Sequence, residues 1–107
     1  MLSPDYLNRF EGLARVFGMA SLEHLQQAHF CIVGVGGVGS WAAEAAARSG
    51  VGKISLIDHD DIDLSNTNRQ VHTLLDTVGQ SKVEVLKARI LQINPECDCT
   101  AIDDLVT

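Results

Sequence analysis

The glycines of residues 34–39 (GVGGVG) are the first feature of this chain whose spacing indicates chemistry. They match the pattern G-x-G-x-x-G and lie between an apolar run and an alanine-rich segment. In a strand–turn–helix context the first glycine permits a sharp turn, the second lets the backbone approach a phosphate or ribose, and the third lets helix and strand pack closely. The N-terminus of the helix also attracts anions. The segment predicts a nucleotide site containing Gly34, Gly36, Gly37 and Gly39; the alternative is a glycine turn that serves packing alone.

An acidic residue stands where such a site would need one. Asp58 follows Gly39 by nineteen residues, at the end of a second apolar run over residues 53–58. A carboxylate at this place typically accepts hydrogen bonds from ribose hydroxyls. The two features together predict a ligand with ribose and phosphate, a class that includes NAD, FAD, S-adenosylmethionine and ATP.

Two cationic residues after the second apolar run help to distinguish between these classes of ligand. Arg69 and Lys82 lie thirteen residues apart around the predicted start of the next helix, and Asn66 adds an amide donor. Arginine binds phosphate through two parallel hydrogen bonds and lysine as a point charge, so the pair suits a polyphosphate better than a nicotinamide cofactor. Adenylation of a carboxylate needs such cations, because negative charge accumulates on the α-phosphate and the departing pyrophosphate. The alternative is a pair of solvated surface charges. His59 and His72 border the same loop as weaker candidates.

The elements that position these residues follow from the pattern of apolar positions. Ser3 and Pro4 mark a helix start and Gly18 its end, and Ser21 is expected to cap a second helix that runs to about residue 28. Strands are expected over residues 29–35, 53–58 and 97–103, and helices over 40–49 and 80–94.

This order predicts an α/β fold of the Rossmann-like three-layer type, with a partial parallel sheet of strand order 3-2-1 after the N-terminal helices. Residues 1–28 form the helical segment and residues 29–107 the first half of a nucleotide-binding domain. The first strand is expected to be covered on both faces but to lack a neighbour on one side. We therefore expect a fragment, or a chain that pairs with another copy.

Composition limits the function further. The 107 residues carry a formal net charge of −6, so any basic surface for nucleic acid is expected outside this segment. No apolar run reaches the length of a membrane span, which with the lack of a leader predicts a cytoplasmic protein. Cys31 is expected in the core, and Cys97 and Cys99 on one strand face, all as structural thiols without disulfides.

Several segments of the chain resemble those of a known family. Residues 34–44, 57–61, 66–72, 78–82 and 93–97 (GVGGVGSWAAE, IDHDD, NTNRQVH, VGQSK and INPEC) are similar to the ubiquitin-activating (E1-like) superfamily that includes ThiF, MoeB and HesA proteins. Within it, SWAAE, NTNRQ and residues 9–18 (RFEGLARVFG) resemble the tRNA threonylcarbamoyladenosine dehydratases.

The resemblance implies an enzyme that uses ATP and Mg²⁺ to activate a carboxylate as an acyl-adenylate. In the dehydratases the carboxylate belongs to the threonylcarbamoyl group on an adenosine of tRNA, and ring closure with loss of water gives the cyclic form. Carried over by motif, Asp58 binds the ribose, Asp60 assists near the ribose or metal, and Gly36 and Gly37 line the nucleotide. Asn66, with Arg69 and Lys82 as the catalytic cations, binds the phosphates.

The resemblance also implies a homodimer, a tRNA substrate held by regions outside this segment, and a sulfur-relay protein as a further partner. Many relatives supply an arginine to the partner's ATP from a position that is Gly12 here, which leaves Arg15 or, failing that, Arg9 for this role. The family's metal-binding aspartate falls after residue 107, so no metal ligand is assigned within the chain, and the 107 residues alone are expected to be inactive.

Three other functions are compatible with these residues. The first is activation of the C-terminus of a ubiquitin-like sulfur carrier, as in ThiF and MoeB proteins. The second is a NAD-dependent oxidoreductase domain, which Arg69 and Lys82 disfavour. The third is a non-catalytic E1-like module that serves in dimerisation or sulfur relay.

Overall fold

The chain folds as a parallel three-stranded sheet. Two helices precede the sheet in the sequence, and two further helices connect its strands. The computed structural model describes residues 2–105. The elements in chain order are α1 (Pro4–Phe17), α2 (Met19–Gln27), β1 (His29–Val33), α3 (Gly37–Arg48), β2 (Lys53–Asp58), a 3₁₀ helix (Leu64–Asn68), α4 (Lys82–Ile93) and β3 (Asp98–Asp103).

The sheet has the strand order β1-β2-β3, with both pairs parallel. Its register pairs Val33 with Ile57 and Asp58 with Asp103, so the carboxyl ends of all three strands meet at one edge. The predicted Rossmann-like α/β fold, with its partial sheet and N-terminal helices, is confirmed. The glycine turn follows β1 at this edge, which is where open α/β sheets bind their ligands.

The main core lies between the sheet and the pair α3 and α4. Ile54 and Leu56 of β2 are fully buried, and alanines of α3 and the apolar face of α4 pack against them. Small alanine side chains let α3 approach the strands, while Leu86 and Ile90 fill the space under α4. The helices that carry the glycine turn and Lys82 are therefore held on one rigid layer.

The two N-terminal helices form a second, smaller core. Ser3 caps α1 by accepting a hydrogen bond from the Tyr6 backbone N–H, as predicted. Tyr6, Phe10 and Leu22 are buried together, and the Tyr6 hydroxyl donates a hydrogen bond to the Gly50 carbonyl oxygen. This bond ties the helical segment to the turn between α3 and β2.

Several sequence expectations need correction. Ser21 does not cap α2: its hydroxyl bonds the Phe17 carbonyl oxygen, and α2 begins at Met19. β1 ends at Val33, two residues early, because Gly34 adopts a φ of +84°. Helix α3 begins at Gly37 rather than Ser40.

The outer strand β1 was expected to be covered on both faces, and this is wrong for the residues that the structure describes. Cys31 is exposed rather than buried in the core, and Val33, on the same face, is 58% exposed. Within residues 2–105, β1 pairs only with β2, as expected of an apolar edge strand. What lies beside that edge stays a prediction.

The remaining cysteines behave as structural residues. Cys97 and Cys99 are buried free thiols that pack into the main core. Burial raises the pKa of both thiols, that of Cys99 to about 11, so both are protonated at neutral pH. No helix within residues 2–105 is both long and apolar enough to cross a lipid bilayer.

Candidate nucleotide site

The glycine turn is shaped by two close approaches of backbone to backbone. Gly34 needs its positive φ, and its N–H donates to the Ile57 carbonyl oxygen at 2.8 Å, which holds the turn against β2. A Cβ atom at Gly39 would collide with the Gly34 carbonyl oxygen, so this position cannot hold a larger residue without movement of α3. These contacts match the roles predicted for the first and third glycines, and they direct the N-terminus of α3 to the carboxyl edge of the sheet.

Asp58 is joined directly to the glycine turn. One of its carboxylate oxygens accepts a hydrogen bond from the Val35 backbone N–H at 2.9 Å, and the other accepts from the Asp60 N–H at 3.0 Å. Burial acts to raise the pKa of Asp58, but these N–H groups and the Lys82 ammonium outweigh it and lower the pKa below its usual value. Asp58 is therefore ionised at neutral pH, and its oxygens keep lone pairs for a ribose hydroxyl.

A small pocket opens beside Asp58 at the carboxyl edge of the sheet. It has a volume of about 230 Å³, and its walls come from the ends of all three strands. The lining residues are Val33, Gly34, Ile57, Asp58, His59, Asp104 and Leu105. The pocket puts the predicted ribose acid in the wall of a cavity next to the first glycine.

Lys82 is the buried cation of this edge. Its side chain is only 7% exposed, and its Nζ lies 3.8 Å from a carboxylate oxygen of Asp60. The position is set by the backbone, since Lys82 N–H bonds the Asp60 carbonyl oxygen and Asp61 forms an isolated bridge with Ser81. The structure thus brings Lys82 to Asp58 and Asp60, which precede it by more than twenty residues in the sequence.

Arg69 lies over the glycine turn instead. The aliphatic part of its side chain is 3.5 Å from the place where a Cβ would stand on Gly37. Its guanidinium bonds the Ser65 carbonyl oxygen and the Asn68 side chain, and it is exposed. The two predicted cations therefore border the same strand edge, Arg69 from the end of the 3₁₀ helix and Lys82 from the start of α4, and each is held by its own partners.

Asn66 has a structural duty that the sequence did not indicate. Its side-chain oxygen accepts a hydrogen bond from the Asp63 N–H, while the Asp63 carboxylate accepts from Ser65, so the two residues cap the 3₁₀ helix. Asn66 is buried, and its amide nitrogen is the group left for a ligand. Arg69 comes directly after this helix, and its N–H donates a hydrogen bond to the Asn66 carbonyl oxygen.

The two histidines differ in surroundings. His72 is buried, and its Nε2 donates to the Val35 carbonyl oxygen at 2.8 Å; burial lowers its pKa, so the ring is neutral and holds the loop to the glycine turn. His59 is exposed and lies with Asp58 and Asp60 in a group whose potential metal-ligand atoms are within 4.8 Å of one another. The sequence assigned no metal ligand, although the run Asp-His-Asp carried this signal.

Sequence reasoning missed two residues that position the site. The Trp41 indole N–H donates to the Arg69 carbonyl oxygen at 2.8 Å. Gln70 is buried with its amide beside Gly36, and its side-chain oxygen has no hydrogen-bond partner among residues 2–105. Both residues stand in the strings that carry the family resemblance, which was the available signal, but only folding shows which groups they contact.

Comparison with known proteins shows the family of this chain and several similar proteins. The model of the ThiF family matches residues 9–107. The chain is 55% identical to a tRNA threonylcarbamoyladenosine dehydratase of Escherichia coli, over 100% of this chain and 40% of that protein. It is 48% identical to a protein of the same name from Haemophilus influenzae, over 96% of this chain and 40% of that one.

A solved structure extends the similarity to the backbone. The crystal structure of the E. coli tRNA N6-threonylcarbamoyladenosine dehydratase in complex with ATP matches with a TM-score of 0.98 at 55% identity, over 100% of this chain and 44% of that chain. The chain thus spans about 40% of the length of the curated relatives that it matches.

Proposed function

The chain belongs to the ThiF family, and from that premise we propose that the protein carrying it is an ATP-dependent adenylating enzyme that dehydrates N6-threonylcarbamoyladenosine in tRNA to its cyclic form. The main support is the 55% identity over the whole chain to a relative of that name, one whose structure with ATP has this fold. The geometry agrees, since the glycine turn, an ionised Asp58 and the buried Lys82 share one sheet edge.

In this proposal the chain's own residues bind and orient the nucleotide. Asp58 accepts hydrogen bonds from a ribose hydroxyl, and the backbone N–H groups at the start of α3 bind phosphate oxygens beside Gly36 and Gly37. Lys82, Arg69 and the Asn66 amide neutralise and orient the phosphates. The carboxylate of the substrate attacks the α-phosphorus, pyrophosphate leaves with the electrons of the broken P–O bond, and the two cations stabilise the charge that develops.

We also assign Mg²⁺ to this edge. Asp60 offers a carboxylate oxygen, the ligand type that Mg²⁺ prefers, and it is exposed beside Asp58 in a group whose potential ligand atoms lie within 4.8 Å of one another. A bound Mg²⁺ would neutralise phosphate charge. The Lys82 ammonium lies 3.8 Å from one carboxylate oxygen of Asp60 and the His59 ring lies 3.6 Å from the other, so both side chains border Asp60 in this role.

The partners are part of the same proposal. A homodimer would let an arginine of α1 reach the ATP of the partner, and Arg15 is well exposed for this, held only by a surface ion pair with Glu11 at 3.6 Å. We include in this proposal a tRNA substrate, a sulfur-relay protein as a further partner, and a cytoplasmic location. The division between residues 1–28 and 29–107 stays a prediction.

The test uses the full-length protein with tRNA that carries threonylcarbamoyladenosine. We expect ATP-dependent loss of one water from the modified nucleoside, seen by mass spectrometry of the digested tRNA, together with release of pyrophosphate. ATP, but not NAD, should raise the thermal unfolding midpoint. Pyrophosphate exchange with a ubiquitin-like protein and none with tRNA would instead identify a sulfur-carrier activating enzyme.

A further inference from the structure

An open cleft of about 620 Å³ lies away from the nucleotide edge, where α1 meets the C-terminal halves of α3 and α4. Three arginines line it, together with one amide and two apolar side chains. They are Arg9, Phe10, Arg48, Arg89, Gln92 and Ile93. Of these six residues only Arg9 has another candidate role, as the alternative to Arg15 at the partner's ATP.

Glu44 fixes two of the three arginines. Its carboxylate accepts from Arg48 Nε at 2.8 Å, from Arg89 Nε at 2.6 Å and from Arg89 Nη2 at 3.1 Å. The hydrogen bond from Arg89 is the main cause that lowers the pKa of the nearly buried Glu44, so the carboxylate stays ionised. One negative charge thus holds two guanidinium groups in place across α3 and α4, and with Arg9 the cleft keeps a surplus of positive charge.

This surplus is unusual for the chain. The formal net charge is −6, and the chain has eight lysines and arginines, three of which line this one cleft. A polyanion would be repelled by most of this surface and attracted here. The Arg48 side chain is 60% exposed and that of Arg89 35%, so both can still offer N–H groups to a ligand.

We propose that this cleft binds the phosphodiester backbone of the RNA substrate. The inference rests on the proposed function, and it adds an RNA contact within a segment whose net charge predicted none. Guanidinium groups bind phosphate oxygens through paired N–H donors, and Gln92 offers an amide to ribose or phosphate. Fixed, planar donors around an open cleft suit a polymer that passes through it.

The position agrees with such a role. Helix α3 runs from Gly37 at the nucleotide edge to Arg48 at the cleft. At a rise of 1.5 Å per residue these positions are about 16 Å apart. An RNA whose modified nucleoside enters the nucleotide edge would therefore place phosphates a few nucleotides away at the cleft.

The test compares RNA binding by full-length variants. Fluorescence anisotropy with a labelled anticodon stem–loop should show that Arg48→Gln and Arg9→Gln each weaken binding by roughly tenfold, the effect of one lost charge-assisted contact. The slope of log affinity against log salt should become shallower by about 0.7 to 0.9 for each variant. The matched control is Lys53→Gln, which removes an exposed charge outside the cleft and should leave both quantities unchanged.

The outcomes separate the two proposals. If the unchanged protein does not bind the stem–loop but binds ATP, the proposed tRNA function fails. If it binds RNA and both arginine variants match it in affinity and salt slope, or Lys53→Gln weakens binding as much as they do, the cleft is not an RNA site. Polyglutamate serves as a second probe, for an acidic protein. If the arginine variants lose binding to polyglutamate but keep their RNA binding, the cleft binds an acidic protein and the inference is overturned. Unfolding midpoints and ATP affinity of Arg48→Gln should stay at the unchanged values, which excludes a damaged fold.

Discussion

The indole N–H of Trp41 donates a hydrogen bond to the main-chain oxygen of Arg69 at 2.8 Å. Trp41 lies on α3 one turn after the glycines, so the bond joins that helix to the loop carrying the predicted phosphate-binding arginine. The Arg69 stem then lies over Gly37. A tryptophan that does not line the pocket therefore links the main chain of Arg69 to the helix that follows the glycine turn.

The first prediction tests this link. Trp41→Phe keeps an aromatic side chain but removes the N–H donor, and loss of a neutral hydrogen bond of about 1 kcal/mol should raise KM for ATP about fivefold. Ala45→Ser, at an exposed position on the same helix and away from the glycine turn, is the control and should leave KM for ATP unchanged. An unchanged KM in Trp41→Phe would show that Arg69 is oriented without the indole.

The second prediction concerns the two cations. In the full-length enzyme, Lys82→Ala and Arg69→Ala should each reduce turnover by at least about a hundredfold, since each removes a charge that stabilises the departing pyrophosphate. Circular dichroism should report an intact fold. Normal turnover in either variant would contradict the role assigned to that residue.

A third prediction compares a glycine that has no room for a side chain with one that has open space around it. Gly39→Ala forces a Cβ onto the Gly34 carbonyl oxygen and should destabilise the protein by about 3 kcal/mol or prevent folding. Gly12→Ala points into open space within α1 and should stabilise the protein by about 0.5–1 kcal/mol. Chemical denaturation measures both changes, and equal effects would show that the turn tolerates a side chain.

The lowered pKa of Asp58 gives a fourth prediction. A carboxyl group whose folded pKa is depressed stabilises the fold above its unfolded pKa, and this contribution is lost as the pH falls through the folded value. The free energy of unfolding should therefore fall on acidification below about pH 4. Asp58→Asn should make this fall shallower, and an identical pH profile in the variant would place the titrating group elsewhere.

The elements that sequence predicted best are those whose signal is local. Strand β2 runs over the predicted residues 53–58 because its apolar run is bounded by Gly52 and a polar loop, and the glycine turn follows from the backbone demands of Gly34 and Gly39. The predicted start of α3 was wrong, because the helix begins at Gly37, where its first N–H groups face the carboxyl edge of the sheet.

The missed parts depend on contacts between distant residues. The burial of Lys82 beside Asp60 arises from the bridge between Asp61 and Ser81, which no local pattern indicates. The exposure of Cys31 was missed because an apolar run predicts a strand but not its place at the rim of the sheet. The three arginines of the cleft are dispersed over eighty residues, so only the packing of α1, α3 and α4 reveals them.

The closeness of the N-terminal helices to the strands has a mechanical consequence. A side chain at Gly52 would strike the Gln26 carbonyl oxygen, and the N–H groups of Gly52 and Lys53 bond the carbonyl oxygens of Leu25 and Ala28. Helix α2 thereby prolongs the hydrogen-bonding of the sheet beyond the start of β1. Deletion of the first 28 residues would remove the carbonyl oxygens that accept hydrogen bonds from the start of β2. The N-terminal helices and the sheet should therefore unfold in one transition rather than in two.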